Sequence, residues 1–336
     1  MSNLPAAAAT IMPDRPVAVT SIPPAAAGAD ATPKGDGLPG AVAAPTTEIE
    51  RYLETVVREA GLAPNLTDAI LYSLLGPGKR ARPLLAWHSF VAVAGGGAAI
   101  DRVLPGVAAV ELVHAFSLVH DDLPGLDNDD LRRGRPTLHR HTSEAMAVLA
   151  GDAMLTLAFQ VIAQRSGAAL AGPQCAELAV ATNAMISGQV YDTLGGYSDG
   201  LSDKDKLELI HRNKTGALIR VACRLGAMAG LDASGGKIDD REPRLVAITA
   251  YAEAIGLMFQ IVDDLLDVTQ TTAHLGKKAG KDQDAGKMTY PGVFGIEHSR
   301  AEVARLHAES IAYLEMFGRD AEPLRQLAGY LAVRTK

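Results

Sequence analysis

Cysteine is nearly absent: Cys175 and Cys223 are the two in 336 residues. Two thiols so far apart make neither a disulfide framework nor a thiolate metal site. Both read as core thiols of a reducing compartment, so a cytoplasmic protein is expected. Aromatic residues make up 4% of the chain while Ala and Leu abound, a balance that favours helices over a β-rich fold. There is no excess of positive charge; the formal net charge is −7. That excludes a general nucleic-acid binder, which needs a broad basic surface against the phosphates of a polymer. The basic residues gather beside a few motifs instead, as local anion sites do. No uncharged apolar run approaches the roughly 18 residues of a membrane span. Glu111 and His114 interrupt the best candidate and Asp152 the next. Strand-like alternation is scarce, and no regular repeat is found. Residues 1–45 lack an apolar period; being mostly Ala, Pro, Gly and Thr, they read as a disordered extension. That extension has no secretory core, and Asp14, Asp30 and Asp36 argue against a transit peptide.

Hydrophobic residues, 48% of the chain, recur at helical spacing from there on. Thr47 and Glu50 suit a capping box ahead of Ile49, Tyr52, Leu53, Val56 and Val57. Further helices are expected near 65–75, 83–93, 104–119, 143–165, 174–193, 204–230, 243–270, 299–316 and 320–333. The stretch 104–119 is apolar on nearly every face, as a helix at the centre of a bundle is. Residues 46–336 thus read as one large all-α domain.

The chemistry concentrates in 114–139, HAFSLVHDDLPGLDNDDLRRGRPTLH. Asp121, Asp122, Asp127, Asp129 and Asp130 follow the apolar helix, and Arg132, Arg133 and Arg135 follow them. Hard oxygen ligands beside fork-shaped cations suit a phosphorylated ligand bridged by Mg²⁺. Asp121 and Asp127 would lie on different faces of a straight helix, but Pro124-Gly125 lets the chain bulge and bring Asp127 back. His114 lines the face that leads to Asp121; a lone helical histidine is more often a satisfied core residue, but this one's position beneath a metal site makes a ligand contact an even bet. A second acidic cluster lies at 259–267, FQIVDDLLD, where Asp263 and Asp267 share a helix face and Asp264 flanks them. Carboxylates set among such apolar neighbours need a partner. The clusters Lys79-Arg80-Ala81-Arg82 and Lys214-Thr215-Gly216, and the Gly/Lys loop at 275–291, are each weak alone.

Together these pieces resemble the trans-isoprenyl diphosphate synthases of the polyprenyl synthetase family, most nearly the bacterial farnesyl diphosphate synthase type. The matching motifs stand in family order: GKRARP, DDLPGLD with DLRRGRPTLH, LAGDAML, GQVYD, KTGAL, FQIVDDLLD and GKKAGKDQDAGKMTYP. GPGKR replaces the usual GGKR. The resemblance implies an antiparallel helical domain around a deep central cavity, commonly a homodimer. It implies three Mg²⁺ ions, held by Asp121, Asp127 and Asp263, with Asp122, Asp264 and Asp267 in support. Arg132, Lys214 and Lys277 would hold an allylic diphosphate, with Thr215 and Gln260 near its reacting end. Lys79, Arg82, His114 and Arg133 would grip isopentenyl diphosphate. Phe116, with Ser117 beside it, would form the floor that stops chain growth at C15. A geranyl or geranylgeranyl stop point, a class I terpene cyclase and a silent regulatory subunit are the rivals. The second aspartate-rich cluster and GKRARP speak against the cyclase, and two intact clusters speak against the silent subunit.

Overall fold

The computed structural model of the chain describes residues 37–269 and 288–334. Helix α5, Leu104–Asp121, is the axis of the bundle. It is buried along most of its length, as its unbroken apolar sequence requires. His114, Ser117, Leu118 and Asp121 share one stripe at i, i+3, i+4 and i+7, and all four face a cavity. Helices α4, Ala81–Ala94, and α10, Ala217–Ala233, are the other central members. Their backbones touch: a Cβ on Gly226 would stand 1.9 Å from the carbonyl oxygen of Ala86. Around these pack α7, Glu144–Arg165, α8, Ala168–Leu194, and α11, Pro243–Thr269. Helices α2, Thr46–Arg58, and α3, Pro64–Leu74, close one side. The all-α expectation holds; among the described residues the strands are a ribbon of β1, Leu131–Arg132, and β2, Arg135–Pro136.

Several local expectations give way to tertiary contacts. Order begins before Thr47, because α1, Gly40–Ala43, buries Val42, and the Val42 carbonyl accepts from His88 Nε2 at 2.9 Å. The capping box at Thr47 does not form: Glu50 instead accepts from Arg80 Nε at 3.0 Å. Helix α8 starts ahead of Pro173 rather than after it. Gln174 pins that turn, donating to the Leu225 carbonyl at 3.1 Å and accepting from Ser166 at 2.9 Å.

The helix expected over 204–230 is three pieces. Helix α9, Asp203–Ile210, starts on a capping box of Ser202 and Asp205. A π-helical segment, His211–Gly216, follows, and α10 continues from it. The short α6, Leu138–His141, follows the ribbon, and beyond α11 come α12, Tyr290–Phe294, α13, Ile296–Tyr313, and α14, Glu322–Val333. Two described helices, Glu144–Arg165 and Pro243–Val268, are long and apolar enough to cross a membrane. Each carries carboxylates (Glu144 and Asp152 on the first; Glu253, Asp263, Asp264 and Asp267 on the second) and packs within the bundle.

Candidate active site

Helix α5 delivers Asp121 at its last residue, and the chain then curls back as Pro124-Gly125 suggested. The Asp127 amide donates to the Asp121 carbonyl at 2.8 Å, and the Asn128 amide to the Leu123 carbonyl at 3.1 Å. Burial raises the Asp121 carboxyl to about 6; neighbouring Asp127 and Asp122 add to this, while Lys214 and Arg132 oppose it. Asp122 turns inward and takes a fork of bonds from Arg132, at 2.9 Å from Nε and 2.5 Å from Nη2. The ribbon that carries Arg132 and Arg133 reverses through Arg133 and Gly134. Both have positive φ (51° and 77°), as a two-residue hairpin of this hand requires.

A cationic pocket lies beside this wall. Arg80 opens α4 in the left-handed region, with φ 50°. The inversion sends Arg80 into the core, where it binds Glu50, Glu111 and the Gly76 carbonyl. Lys79 stays at the surface, its Nζ 5.4 Å from the Tyr330 ring centre. Arg82 Nη1 donates to His114 Nε2 at 3.1 Å. Burial and the surrounding arginines hold His114 well below the usual histidine range, so its imidazole is neutral and its Nε2 accepts. Arg133 Nη1 donates to the Pro77 carbonyl at 2.6 Å. A Cβ on Gly78 would stand 2.3 Å from that same nitrogen, so a side chain there would push the Arg133 guanidinium aside.

The second wall is α11. Asp263 is raised by burial and countered by Arg334, whose Nη2 donates to its Oδ1 at 2.5 Å. The Arg334 guanidinium also lies 3.9 Å over the Phe259 ring. Asp263 and Arg82 feel each other's charge, as do Asp263 and Lys79. Asp264 has other partners: the Tyr290 amide donates to it at 2.7 Å, and His211 Nε2 approaches to 3.4 Å. Asp267 lies one turn further along the helix, half-buried.

From Asp121 a cavity of about 460 Å³ descends along α5. Phe116, Ser117, Leu155, Met185, Val190 and Leu218 line it. The π-helical segment adds Lys214 and Thr215, consistent with the frequency of such turns at functional sites. Lys214 Nζ pairs with Asp192 at 2.5 Å. Gly188 permits this, since a Cβ there would stand 2.2 Å from the Lys214 amide nitrogen. Gln260, half-buried on α11, is not in the lining. Lys277 lies outside the described residues.

Sequence reasoning missed Arg334, His211, Asp192, Gly188 and Glu111. GQVYD pointed at two of them; Arg334 meets Asp263 across 71 positions, with no local signal.

Among the described residues no three His, Cys, Asp or Glu side chains converge on one point. The carboxylates present are hard oxygen donors of the kind Mg²⁺ takes one or two at a time, with water and substrate phosphate completing its shell. Asp121, Asp127 and Asp263 are the carboxylates that would share ions in this way. A cation at Asp121 must displace its proton. Mg²⁺ affinity of the free protein should therefore rise as pH climbs through about 6 and level off above it. Without metal the sign for stability is opposite: the folded state holds this proton above the ordinary 3.8, so acidification toward about 6 and below favours it. Calorimetric Mg²⁺ titration over a pH series checks the first point; a flat profile would remove Asp121 from the metal site.

Two aspartate walls over an apolar shaft, all built from helices, define the isoprenoid synthase fold. The chain belongs to the polyprenyl synthetase family, whose description matches residues 63–316, and it is a trans-prenyltransferase. It is 43% identical over 280 residues to geranylgeranyl pyrophosphate synthase 11, chloroplastic, of Arabidopsis thaliana, covering 80% of this chain and 74% of that one. A solved geranyltransferase from Legionella pneumophila matches with TM-score 0.73 and 32% identity, over 87% of this chain and 95% of its own. An FPP/GFPP synthase from Zymomonas mobilis matches with TM-score 0.73 and 30% identity, over 87% and 99%.

Proposed function

We propose that the chain condenses isopentenyl diphosphate head to tail with dimethylallyl or geranyl diphosphate and releases farnesyl diphosphate. The observation that carries the product length is Phe116, an aromatic ring only 5% exposed that lines the shaft one turn and a half below Asp121. Mg²⁺ held by Asp121, Asp127 and Asp263 would supply Lewis-acid neutralisation of the leaving diphosphate. Arg132 and Lys214 would turn from Asp122 and Asp192 to diphosphate oxygens. Lys79, Arg82, neutral His114 and Arg133 would hold isopentenyl diphosphate. The allylic C–O bond breaks and its electron pair leaves with diphosphate. The isopentenyl double bond attacks the allylic cation, and the proton lost from the new cation goes to the released diphosphate. Thr215 and the backbone near Lys214 face the positive centre, while the apolar lining keeps water away. Lys277 and Gln260 keep the roles the resemblance gave them, as further contacts to the allylic substrate.

Exposed Leu149, Val180 and Leu194 on α7 and α8 support a homodimer through that face. A cytoplasmic location goes with the same reading.

A second reading is favoured by the names of the plant relatives: the same chemistry carried one unit further, to geranylgeranyl diphosphate. Product sizing decides. With isopentenyl and dimethylallyl diphosphate and Mg²⁺, C15 is expected as the main product, and Phe116→Ala should lengthen it. A C20 product from the wild type would establish the second reading, and an unchanged profile in the variant would remove Phe116 from the floor.

A further inference from the structure

The Phe116 ring is not supported by its own helix alone. One turn further along α5, His120 meets it edge to face, with ring centres 5.7 Å apart and planes at 85°. Helical side chains lean toward the N-terminus of their helix, so His120 lies over the turn that carries Phe116. The imidazole rests on the backbone of α7. Its Nε2 donates to the Val148 carbonyl at 3.1 Å. Beneath the ring is Gly151: a Cβ there would stand 2.0 Å from Nε2 and 2.4 Å from Cδ2. Helix α7 thus offers a bare glycine seat at the level where the ring needs it. Any side chain at that seat would lift the imidazole toward the cavity, which both His120 and Phe116 line.

We infer that His120, seated on Gly151, is a positioning residue for product length: it props the Phe116 ring across the shaft. This rests on the reading of Phe116 as the floor. A growing prenyl chain presses on the ring, and the ring yields by rotating about χ1 or tilting along α5. His120 fills the space on the Asp121 side into which it would move. The hydrogen bond to Val148 and the glycine seat prevent His120 from giving way in turn. Length is then set by three residues on two helices.

The test uses the full chain with isopentenyl and geranyl diphosphate and Mg²⁺, products being sized at matched conversion. His120→Ala should raise the ratio of the product one isoprene unit longer than wild type by roughly two- to tenfold, the range expected for losing one aromatic contact. Gly151→Ala should push the ring inward and shift the distribution toward shorter product. In the His120→Ala background Gly151→Ala has no ring to displace, so the double variant should match His120→Ala rather than the sum of the two. If Phe116→Ala lengthens the product while His120→Ala keeps the wild-type distribution, the prop is overturned and the floor stands. If neither variant changes the product, both ideas fall. Should His120→Ala fail to fold, Gly151→Ala decides alone: shorter product supports the prop, and an unchanged distribution overturns it.

Discussion

Replacing Asp121 by Ala should slow turnover by at least about a thousandfold and leave the helical fold intact. The two halves of that expectation come from different features. Asp121 sits at the mouth of the shaft with its carboxyl raised to about 6, chiefly by burial. Chemistry that depends on neutralising a diphosphate loses its main anchor with this residue. The fold loses nothing comparable, because the Asp121 side chain makes no hydrogen bond among the described residues. Removing a carboxylate that burial disfavours should leave the thermal midpoint unchanged or slightly raised. Asp122 would not give so clean a separation, since both its oxygens hold Arg132. Steady-state turnover beside a circular-dichroism melt checks the expectation. Near-normal rates would sink the assignment of Asp121 to the metal wall.

Gly188→Ala should lower kcat by about a hundredfold while raising KM for isopentenyl diphosphate little. The added Cβ would stand 2.2 Å from the Lys214 amide nitrogen, 2.6 Å from its Cα and 2.8 Å from the Asn213 carbonyl carbon. All of these are backbone atoms, so no side chain can rotate aside. Either α8 backs away or the π-helical segment moves, and a misplacement of about 1 Å in a positioning group costs about two orders of magnitude. Overpacking should also cost about 1–3 kcal/mol of stability. The isopentenyl site is spared because Lys79, Arg82 and Arg133 are carried by α4, its approach and the ribbon. A kcat near wild type would show that Lys214 and Thr215 are not held in place by α8.

The central helices were legible in the sequence because their burial is continuous. An apolar stretch such as 104–119 has no polar face to present to water, and it became α5. The return of Asp127 to Asp121 was legible too, since Pro124-Gly125 allows few other paths. Partners of charged residues were not. Glu50 looked like a capping residue but serves Arg80, because a buried guanidinium outweighs an N-cap bond that water can replace. Asp122 and Asp264 are expected to support the metal ligands, but nothing local told that their protein partners would be Arg132 and the Tyr290 amide. Adjacent aspartates on a helix end point in different directions, and which one faces the cavity depends on packing far away in sequence. Arg334 shows the same limit from the other side.

The six residues His211–Gly216 carry one consequence for insertions and deletions. A π-turn holds one residue more than the α-helix around it needs. Removing Asn213 would let α9 and α10 join as a regular helix with no loss of apolar pattern, and the local hydrogen bonding would improve. The residues on either side of the cut would then differ in facing by about 100° from their present relation. Lys214 and Thr215 follow the cut and stay in phase with α10, so α9 would turn about its axis relative to them while α10 kept its grip on α4. The surplus residue therefore sets the rotational phase between α9 and the helix that carries Lys214 and Thr215, and the face that α9 presents to its neighbours depends on it.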